Sequence, residues 1–171
     1  MNRPAWAETS DLLREYYDHE WGLPVRDTPG VYERITLEGF QSGLSWETVL
    51  RKRPAFRAAF AGFDPATVAR FGQADVERLM TDAGIVRNRR KIEAAITNAR
   101  ATVALTAAGE DLAELVWSFQ PADPGDGVGA AQSPESVALA AALKGRGYVF
   151  VGPVTMFALM QAIGLLEHRL P

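Results

Sequence analysis

The sequence of 171 residues contains no cysteine and only two histidines, His19 and His168. The absence of cysteine excludes disulfides, a cysteine nucleophile, an iron–sulfur cluster and any thiolate-bound zinc. A site built on two histidines would need carboxylates placed around them in space, and we therefore expect no bound metal. No nucleophile-elbow motif accompanies a serine, so a serine hydrolase is not indicated either.

Long apolar runs are also missing. No stretch of about 18 apolar residues is present, so no membrane span is expected. The N-terminal residues are charged and include no apolar segment, which argues against a signal peptide. Hydrophobic residues still make up 47% of the chain and charged residues 23%, fractions that favour a folded globular protein over a disordered one. We expect residues 1–171 to form a single domain, whose length also permits two small lobes.

A large excess of either charge is missing as well, because the formal net charge is −3. This small total argues at first sight against a nucleic-acid partner, but the basic and acidic side chains are distributed unevenly along the chain. Residues 1–50 carry 4 basic and 9 acidic side chains, residues 51–100 carry 11 and 5, and residues 101–171 carry 3 and 7. A basic middle third between acidic flanks is typical either of a solvated face or of a surface that contacts phosphates, and both interpretations stay open.

Strand signals are nearly absent, and residues typical of helix starts and ends recur along the chain. Residues 148–151 are an apolar run that is too short to predict a sheet strand. Capping residues predict five helix starts, and a proline follows three of them. The predicted caps are Ser10, Thr28, Ser45, Asp64 and Ser133. Gly39 is predicted to end the second helix, and Pro54 to interrupt the third. The pattern predicts an all-α domain of roughly eight short helices.

Aromatic residues and one carboxylate are concentrated near the start of the chain. Three of the four tryptophans, Trp6, Trp21 and Trp46, fall in the first 46 residues, with Glu38 among them. These rings either fill a core or form a pocket that sandwiches a flat ligand. Glu38 lies in an apolar helix end, where a carboxylate is unusual unless it is paired or functional. In such a pocket it would attract a positively charged ligand.

The segment 144–153 has the pattern of a helix, a glycine-flanked turn and a second helix. This is the pattern of a helix–hairpin–helix clamp on the DNA backbone, in which the turn binds a phosphate and Lys144 and Arg146 add positive charge. Many helical hairpins share this spacing, so spacing alone does not decide the function.

Eight segments together carry a family pattern: Trp6, 16–24 (YYDHEWGLP), 37–46 (LEGFQSGLSW), 63–65, 82–89, 116–119, 150–152 and 160–162. From Met1 to about His168, the chain closely resembles the bacterial 3-methyladenine DNA glycosylase I family, a branch of the helix–hairpin–helix glycosylases. The most specific parts are the block 37–46 and the Glu-Trp-Gly run at 20–22.

The resemblance implies an all-α, two-lobed helix–hairpin–helix glycosylase fold with a lesion pocket between the lobes. It implies hydrolysis of the bond between 3-methyladenine and its sugar in double-stranded DNA, after the base has been flipped out of the helix. It assigns Glu38 to recognition of the alkylated base. It places Tyr16, Trp21 and Trp46 along the pocket, with Trp6 closing it.

The resemblance also implies contacts with the DNA. Gly43 and Leu44 match a wedge that fills the space left by the flipped base, and Gln41 lies in the same block. Charge and position add four candidates for gripping the backbone, and Gly152 matches the family in the turn before the last helix. The four charged candidates are Arg87, Arg89, Lys144 and Arg146.

Alkylation at N3 puts positive charge on the base and weakens its bond to the sugar, so positioning and electrostatics supply most of the catalysis. We therefore expect Glu38, the catalytic candidate, to bind the cationic base rather than to act as a strong general base. No lysine is placed for imine chemistry, which predicts a monofunctional enzyme without lyase activity. We expect no cofactor, a monomer, and a cytoplasmic location on the nucleoid.

The chain departs from the family at its ends. Many members bind a structural zinc through two cysteines and two histidines that tie the termini together. Here two of those positions are Pro4 and Tyr17, and near the C-terminus only His168 remains. We predict that no zinc is bound and that packing of Trp6, Tyr17 and the last helix holds the termini.

Leu13 is a further departure, because it occupies a pocket position where an aromatic residue is usual.

Three alternative functions stay open. The same fold could excise another alkylated base, or it could bind lesions with weak catalysis. A helical module that binds a flat metabolite would need the pocket but neither the wedge nor the basic middle third.

Overall fold

The computed structural model describes residues 2–171, and within them every regular element is a helix. These described residues form nine α-helices: α1 Asp11–His19, α2 Thr28–Gln41, α3 Trp46–Ala59, α4 Pro65–Val68, α5 Gln73–Met80, α6 Arg89–Ala107, α7 Leu112–Trp117, α8 Pro134–Gly145 and α9 Pro153–Ala162. Two short 3₁₀ helices, Ala5–Glu8 and Ala61–Phe63, precede α1 and α4. The all-α prediction is confirmed. In the described part of the chain, no helix is both long and apolar enough to cross a bilayer.

Four of the five predicted helix caps are confirmed. The side chains of Ser10, Ser45, Asp64 and Ser133 each accept a hydrogen bond from a backbone N–H in the first turn of α1, α3, α4 and α8. The prediction of Thr28 as a cap is wrong. Asp27 caps α2 by accepting from the N–H of Gly30 at 2.8 Å, while the Thr28 hydroxyl donates to Asp111 at 2.7 Å. A carboxylate one residue earlier therefore takes the capping position.

The two predicted helix breaks are also wrong. The second helix continues through Gly39 to Gln41, and there a Cβ at Gly39 would lie 3.7 Å from the Cβ of Phe150. The third helix continues through Pro54, which is exposed. Leu50 and Phe56 on either side of this proline are buried. Packing of the helix on the core outweighs the hydrogen bond that proline removes.

The core consists of one large cluster and one small one. The large cluster takes buried side chains from α2 to α9, including the stacked rings of Phe60 and Phe63 with centroids 5.8 Å apart. The small cluster contains Leu13, Tyr16 and Leu50. Because Trp21 and Trp46 pack against this small cluster, it supports the aromatic cavity described below.

The segment 144–153 folds as predicted into a helix, a turn and a helix. The turn between α8 and α9 contains Gly147 with φ +89° and Phe150 with φ +57°. We call residues 146–152 the hairpin turn. Its action as a clamp on DNA stays a prediction.

The two terminal segments meet at the C-terminal end of α1. The guanidinium of Arg3 donates twice to the carboxylate of Asp18, at 2.8 Å each. The guanidinium of Arg169 donates to the carbonyls of Tyr17 and Trp21 and lies over the Tyr17 ring. The backbone N–H of Leu170 donates to the Tyr17 hydroxyl at 2.8 Å. We call this set of contacts the terminal clasp.

Candidate active site

One cavity brings the predicted pocket residues together. It has a volume of about 420 Å³ and is lined by Trp6, Thr9, Leu13, Tyr16, Trp21, Glu38, Gln41, Ser45, Trp46, Glu47, Ala158 and Gln161. All five predicted base-binding residues are in this set. Their contact with a base stays a prediction, because the cavity shows only that they share one space.

Helical spacing explains how three local stretches reach the same cavity. Leu13 and Tyr16 are three residues apart on α1, and Glu38 and Gln41 are three apart on α2. Residues at this spacing lie on one face of a helix. The third stretch is the first turn of α3, where Trp46 follows the cap.

The aromatic side chains form a wall that begins in the core and ends at the cavity mouth. Tyr17 is fully buried and stacks on Trp21, with centroids 5.4 Å apart. Trp6 packs edge-on against both rings, at 5.6 Å from each. Trp6 is itself 36% exposed. A ring partly open to solvent and backed by two others is placed to cover a ligand at the mouth.

Glu38 is a buried carboxyl without a partner. No group within residues 2–171 forms a hydrogen bond or an ion pair with it. Burial alone raises the pKa of Glu38 to about 8. An ionised carboxylate in such a place is costly unless a positive charge or hydrogen-bond donors reach it. The cavity therefore favours a ligand that carries positive charge and N–H groups.

The arginine beside Tyr16 is paired with Glu20 and forms no ion pair with Glu38. Arg53 forms two hydrogen bonds of 2.6 Å with the carboxylate of Glu20 and lies 6.0 Å from the Tyr16 ring centroid. Burial raises the pKa of the Tyr16 phenol, and the nearby Glu38 raises it further. Tyr16 therefore stays a neutral phenol beside the carboxyl group.

Gln161 is a cavity residue that the sequence did not identify. Its side-chain nitrogen lies 3.0 Å from Nδ1 of His168, and Nε2 of His168 lies 2.8 Å from the carbonyl of Asp126. A carbonyl only accepts, so Nε2 carries the proton and Nδ1 accepts from the Gln161 amide. This order directs the Gln161 amide oxygen away from His168. The membership of Gln161 in segment 160–162 was the only signal that could have singled it out.

The predicted wedge residues form a short loop beside the cavity. The side chain of Gln41 donates to the Leu44 carbonyl at 2.9 Å, and the Leu44 N–H donates to the Gln41 carbonyl at 2.7 Å. Gly43 is exposed and has φ +80°, a conformation that glycine adopts without strain. We call residues 41–44 the wedge loop.

The predicted backbone-gripping side chains are in two different states. Arg89 is paired with Glu77 at 2.9 Å, and Arg146 with Glu110 at 2.8 Å. Arg87 and Lys144 are exposed, and their side chains make no ion pair or hydrogen bond within residues 2–171. Gly152 caps the N-terminus of α9 in the hairpin turn.

The residues at the chain ends do not fit a zinc site. Tyr17 uses its hydroxyl to accept from Leu170, and both ring nitrogens of His168 are already hydrogen-bonded. Across residues 2–171, no three His, Cys, Asp or Glu side chains are gathered where they could hold a metal ion. His19 is exposed at the end of α1, 3.4 Å from Glu15.

Comparison with known proteins places this geometry in a family context. A sequence model of the methyladenine glycosylase family matches residues 6–171. The chain is 45% identical to DNA-3-methyladenine glycosylase 1 of Escherichia coli (strain K12), over 99% of this chain and 94% of that protein. It is 40% identical to the DNA-3-methyladenine glycosylase of Haemophilus influenzae, over 98% and 94%.

A solved structure shows the same fold. The 3-methyladenine DNA glycosylase I from Staphylococcus aureus, solved to explain recognition of 3-methyladenine, superposes with a TM-score of 0.91. It is 32% identical over 99% of this chain and 94% of that one.

Proposed function

This chain belongs to the methyladenine glycosylase family, and we propose that it is a DNA-3-methyladenine glycosylase that acts in base-excision repair. The family resemblance drawn from the sequence is thereby confirmed. The reaction is hydrolysis of the N-glycosidic bond, without lyase chemistry.

The observation that carries this proposal is the unpartnered Glu38 carboxyl in an aromatic cavity. Alkylation of adenine at N3 gives the base a positive charge, and the base is flat. Aromatic walls favour a flat cation through stacking and cation–π attraction. The carboxylate favours the same cation electrostatically, and the low polarity of the cavity strengthens that attraction. A neutral, unmodified adenine gains only the stacking part, so the cavity discriminates by charge.

The chemical step needs little from the protein beyond this binding. When the bond from the sugar C1′ to the base N9 breaks, its electron pair moves to the base, which leaves neutral. Water adds to C1′ and loses a proton. Glu38 holds the base by charge and hydrogen bonds, and Tyr16 and Trp46 hold its plane.

We place the flipped nucleotide in the cavity and the duplex over the wedge loop and the hairpin turn. A stacked base does not expose its alkylated face, so it must leave the helix, and Leu44 would fill the resulting gap. Arg87 and Lys144 can contact phosphates without breaking an ion pair. Arg89 and Arg146 would first have to leave Glu77 and Glu110. The proposed partner is double-stranded DNA on the bacterial nucleoid, bound by a monomer.

Base release from alkylated DNA tests the proposal. Wild type should release 3-methyladenine, and Glu38→Gln should lower kcat/KM roughly 10- to 100-fold, the effect of losing a charge-assisted contact. Glu33→Gln is the matched control, because it removes a second buried carboxylate of α2 that pairs with Arg57. Full activity of Glu38→Gln would contradict the proposed role. Failure of wild type to release this base would favour lesion binding, and release of another base would favour a different lesion range.

The salt dependence of DNA binding supplies an independent test. Each phosphate contact releases counterions, so the affinity should fall steeply as salt rises. Arg87→Met and Lys144→Met should each reduce the slope of log K against log salt by about one. A flat dependence in wild type would contradict a grip on phosphates.

A further inference from the structure

Two polar side chains of α6 bind the backbone of two separate loops. The Lys91 ammonium donates to the carbonyls of Phe40 at 2.8 Å and Ser42 at 2.6 Å. The side-chain amide of Asn98 donates to the carbonyl of Val149 at 3.0 Å and accepts from the N–H of Val149 at 2.8 Å. Lys91 therefore holds the start of the wedge loop, and Asn98 holds the hairpin turn.

Lys91 and Asn98 connect the two loops to the same helix, α6. They are seven residues apart, which is about two helical turns, so both lie on the same side of one rigid helix. The hairpin turn also lies close to the end of α2 that precedes the wedge loop, since a Cβ at Gly39 would lie 3.7 Å from the Cβ of Phe150. A small cavity between α2, α6 and the hairpin turn is lined by Gly39, Phe40, Lys91, Asn98 and Phe150, among others.

Neither side chain is placed to grip DNA itself. Asn98 is buried, at 3% exposure. Lys91 is partly buried, and this burial lowers the pKa of its ammonium. Its contacts go to carbonyls at the C-terminal end of α2, which have no partner within the helix and attract a cation. Both residues can influence DNA only through the backbone that they hold.

We propose that Lys91 and Asn98 are positioning residues, which fix the spacing between the wedge loop and the hairpin turn. The inference rests on the proposed function, in which the first loop enters the duplex and the second holds its backbone. In duplex DNA the distance from a base step to a nearby phosphate is constrained by stacking. The two loops must match that distance at the same time for the base to leave the helix. A displacement of about 1 Å can cost 10²-fold in rate.

The proposal separates extraction of the base from recognition of the base. The cavity around Glu38 is lined by residues of the first 3₁₀ helix, of α1, α2, α3 and α9, and of the loops beside them, whereas α6 contributes no residue to its lining. Loss of the spacing should therefore impair release from duplex DNA but leave binding of the free base intact. Single-stranded DNA has no paired duplex to open and no fixed distance to match, so release of the base from it should be far less affected.

The test compares single-turnover release of 3-methyladenine from one alkylated oligonucleotide in duplex and in single-stranded form. Lys91→Met removes the ammonium and keeps the length of the side chain. Asn98→Ala removes both contacts with Val149, and Asn98→Asp keeps only the acceptor. Arg100→Met is the matched control, because Arg100 also lies on α6 and donates to two loop carbonyls, those of Ala69 and Phe71. Thermal unfolding shows that each variant is folded, and titration with free 3-methyladenine measures the affinity of the cavity for the base.

We expect Lys91→Met and Asn98→Ala to lose at least tenfold in rate on the duplex and less than threefold on the single strand. Their affinity for free 3-methyladenine should stay within twofold of wild type, as should both rates of Arg100→Met. Lys91→Arg and Asn98→Asp should recover part of the duplex rate. Equal losses on both substrates, or a parallel loss of free-base affinity, would overturn the inference. Absence of release by wild type on either substrate would instead refute the proposed function itself.

Discussion

Three carboxyl groups at the end of α1 and on α2 differ in the groups that face them. Glu20 is held by Arg53, whose hydrogen bonds and charge lower the pKa of Glu20 against the cost of its burial. Glu33 is held by Arg57 at 2.8 Å. Glu38 alone among these three pairs with no cation within residues 2–171, and its pKa is raised to about 8. The free protein therefore holds a carboxyl group whose charged form is unfavourable until a cationic ligand compensates it.

The stability of the free protein should fall with pH because of Glu38. The pKa is raised from 4.5 to about 8 on folding, so between these values the folded chain holds a proton that the unfolded chain has lost. The free energy of unfolding then decreases by up to about 1.4 kcal/mol per pH unit and levels off above pH 8. Urea unfolding of wild type and Glu38→Gln between pH 5 and about 9 measures this. The advantage of Glu38→Gln over wild type in free energy of unfolding should be largest at high pH and should narrow or reverse as pH falls. Parallel curves of free energy of unfolding against pH would contradict this prediction.

The activity should show the opposite pH dependence. Only the ionised carboxylate attracts the cationic base, so kcat/KM on alkylated duplex DNA should rise with pH, with a midpoint near 8, and level off above it. The midpoint of kcat should lie lower, because the bound cation favours ionisation of Glu38. Glu38→Gln should show neither midpoint. A wild-type profile that is flat between pH 6 and about 9 would contradict the assignment.

At the scale of helices, local sequence determines where several helices begin, whereas packing against distant residues determines where some of them end. The caps at Ser10, Ser45 and Asp64 could be predicted because a capping hydrogen bond is made within one turn of chain. Gly39 and Pro54 misled the prediction because the continuation of α2 and α3 depends on distant residues that pack against them. Phe150, which faces Gly39, is more than a hundred residues away in the sequence.

The proline inside α3 should lower the free energy of unfolding, and its replacement should therefore stabilise the protein. Pro54 has no N–H to give to the Leu50 carbonyl, and its ring crowds the preceding turn. Pro54→Ala should raise the free energy of unfolding by about 1–2 kcal/mol, after allowing for the greater freedom of the unfolded chain. Chemical denaturation measures the gain. Pro134→Ala is the control, because Pro134 is exposed in the first turn of α8, where proline is favourable, and this change should bring no gain.

At the scale of the whole molecule, the cavity is assembled from the two ends of the chain. Leu13, Tyr16, Glu38 and Trp46 come from the first third, where the concentration of aromatic residues around one carboxylate made a pocket one of two interpretations, and the family resemblance assigned these four residues to it. Gln161 comes from α9, and its amide orientation is set by His168 and Asp126. No periodicity links these three residues to the first third, so only the folded chain could reveal this part of the site.

The terminal clasp should replace a metal as the link between the chain ends. Arg169→Met removes several hydrogen bonds to carbonyls around α1 and should lower the free energy of unfolding by about 2–3 kcal/mol. A chelator should leave the melting temperature and the activity of wild type unchanged. Metal analysis of the purified protein checks the same point, and zinc at one equivalent would overturn the prediction. Arg14→Met is the control, because Arg14 makes only exposed ion pairs with Glu8 and Asp11.

The composition of the terminal clasp has a consequence for survival under chemical stress. The proposed substrate arises when electrophilic methylating agents react with DNA, and among protein groups thiolates are especially reactive nucleophiles. The clasp is made of guanidinium, carboxylate, phenol and carbonyl groups, and the sequence contains no thiol at all. The aromatic wall formed by Trp6, Tyr17 and Trp21 is thus held by contacts that offer no thiolate to the agents that create the damage.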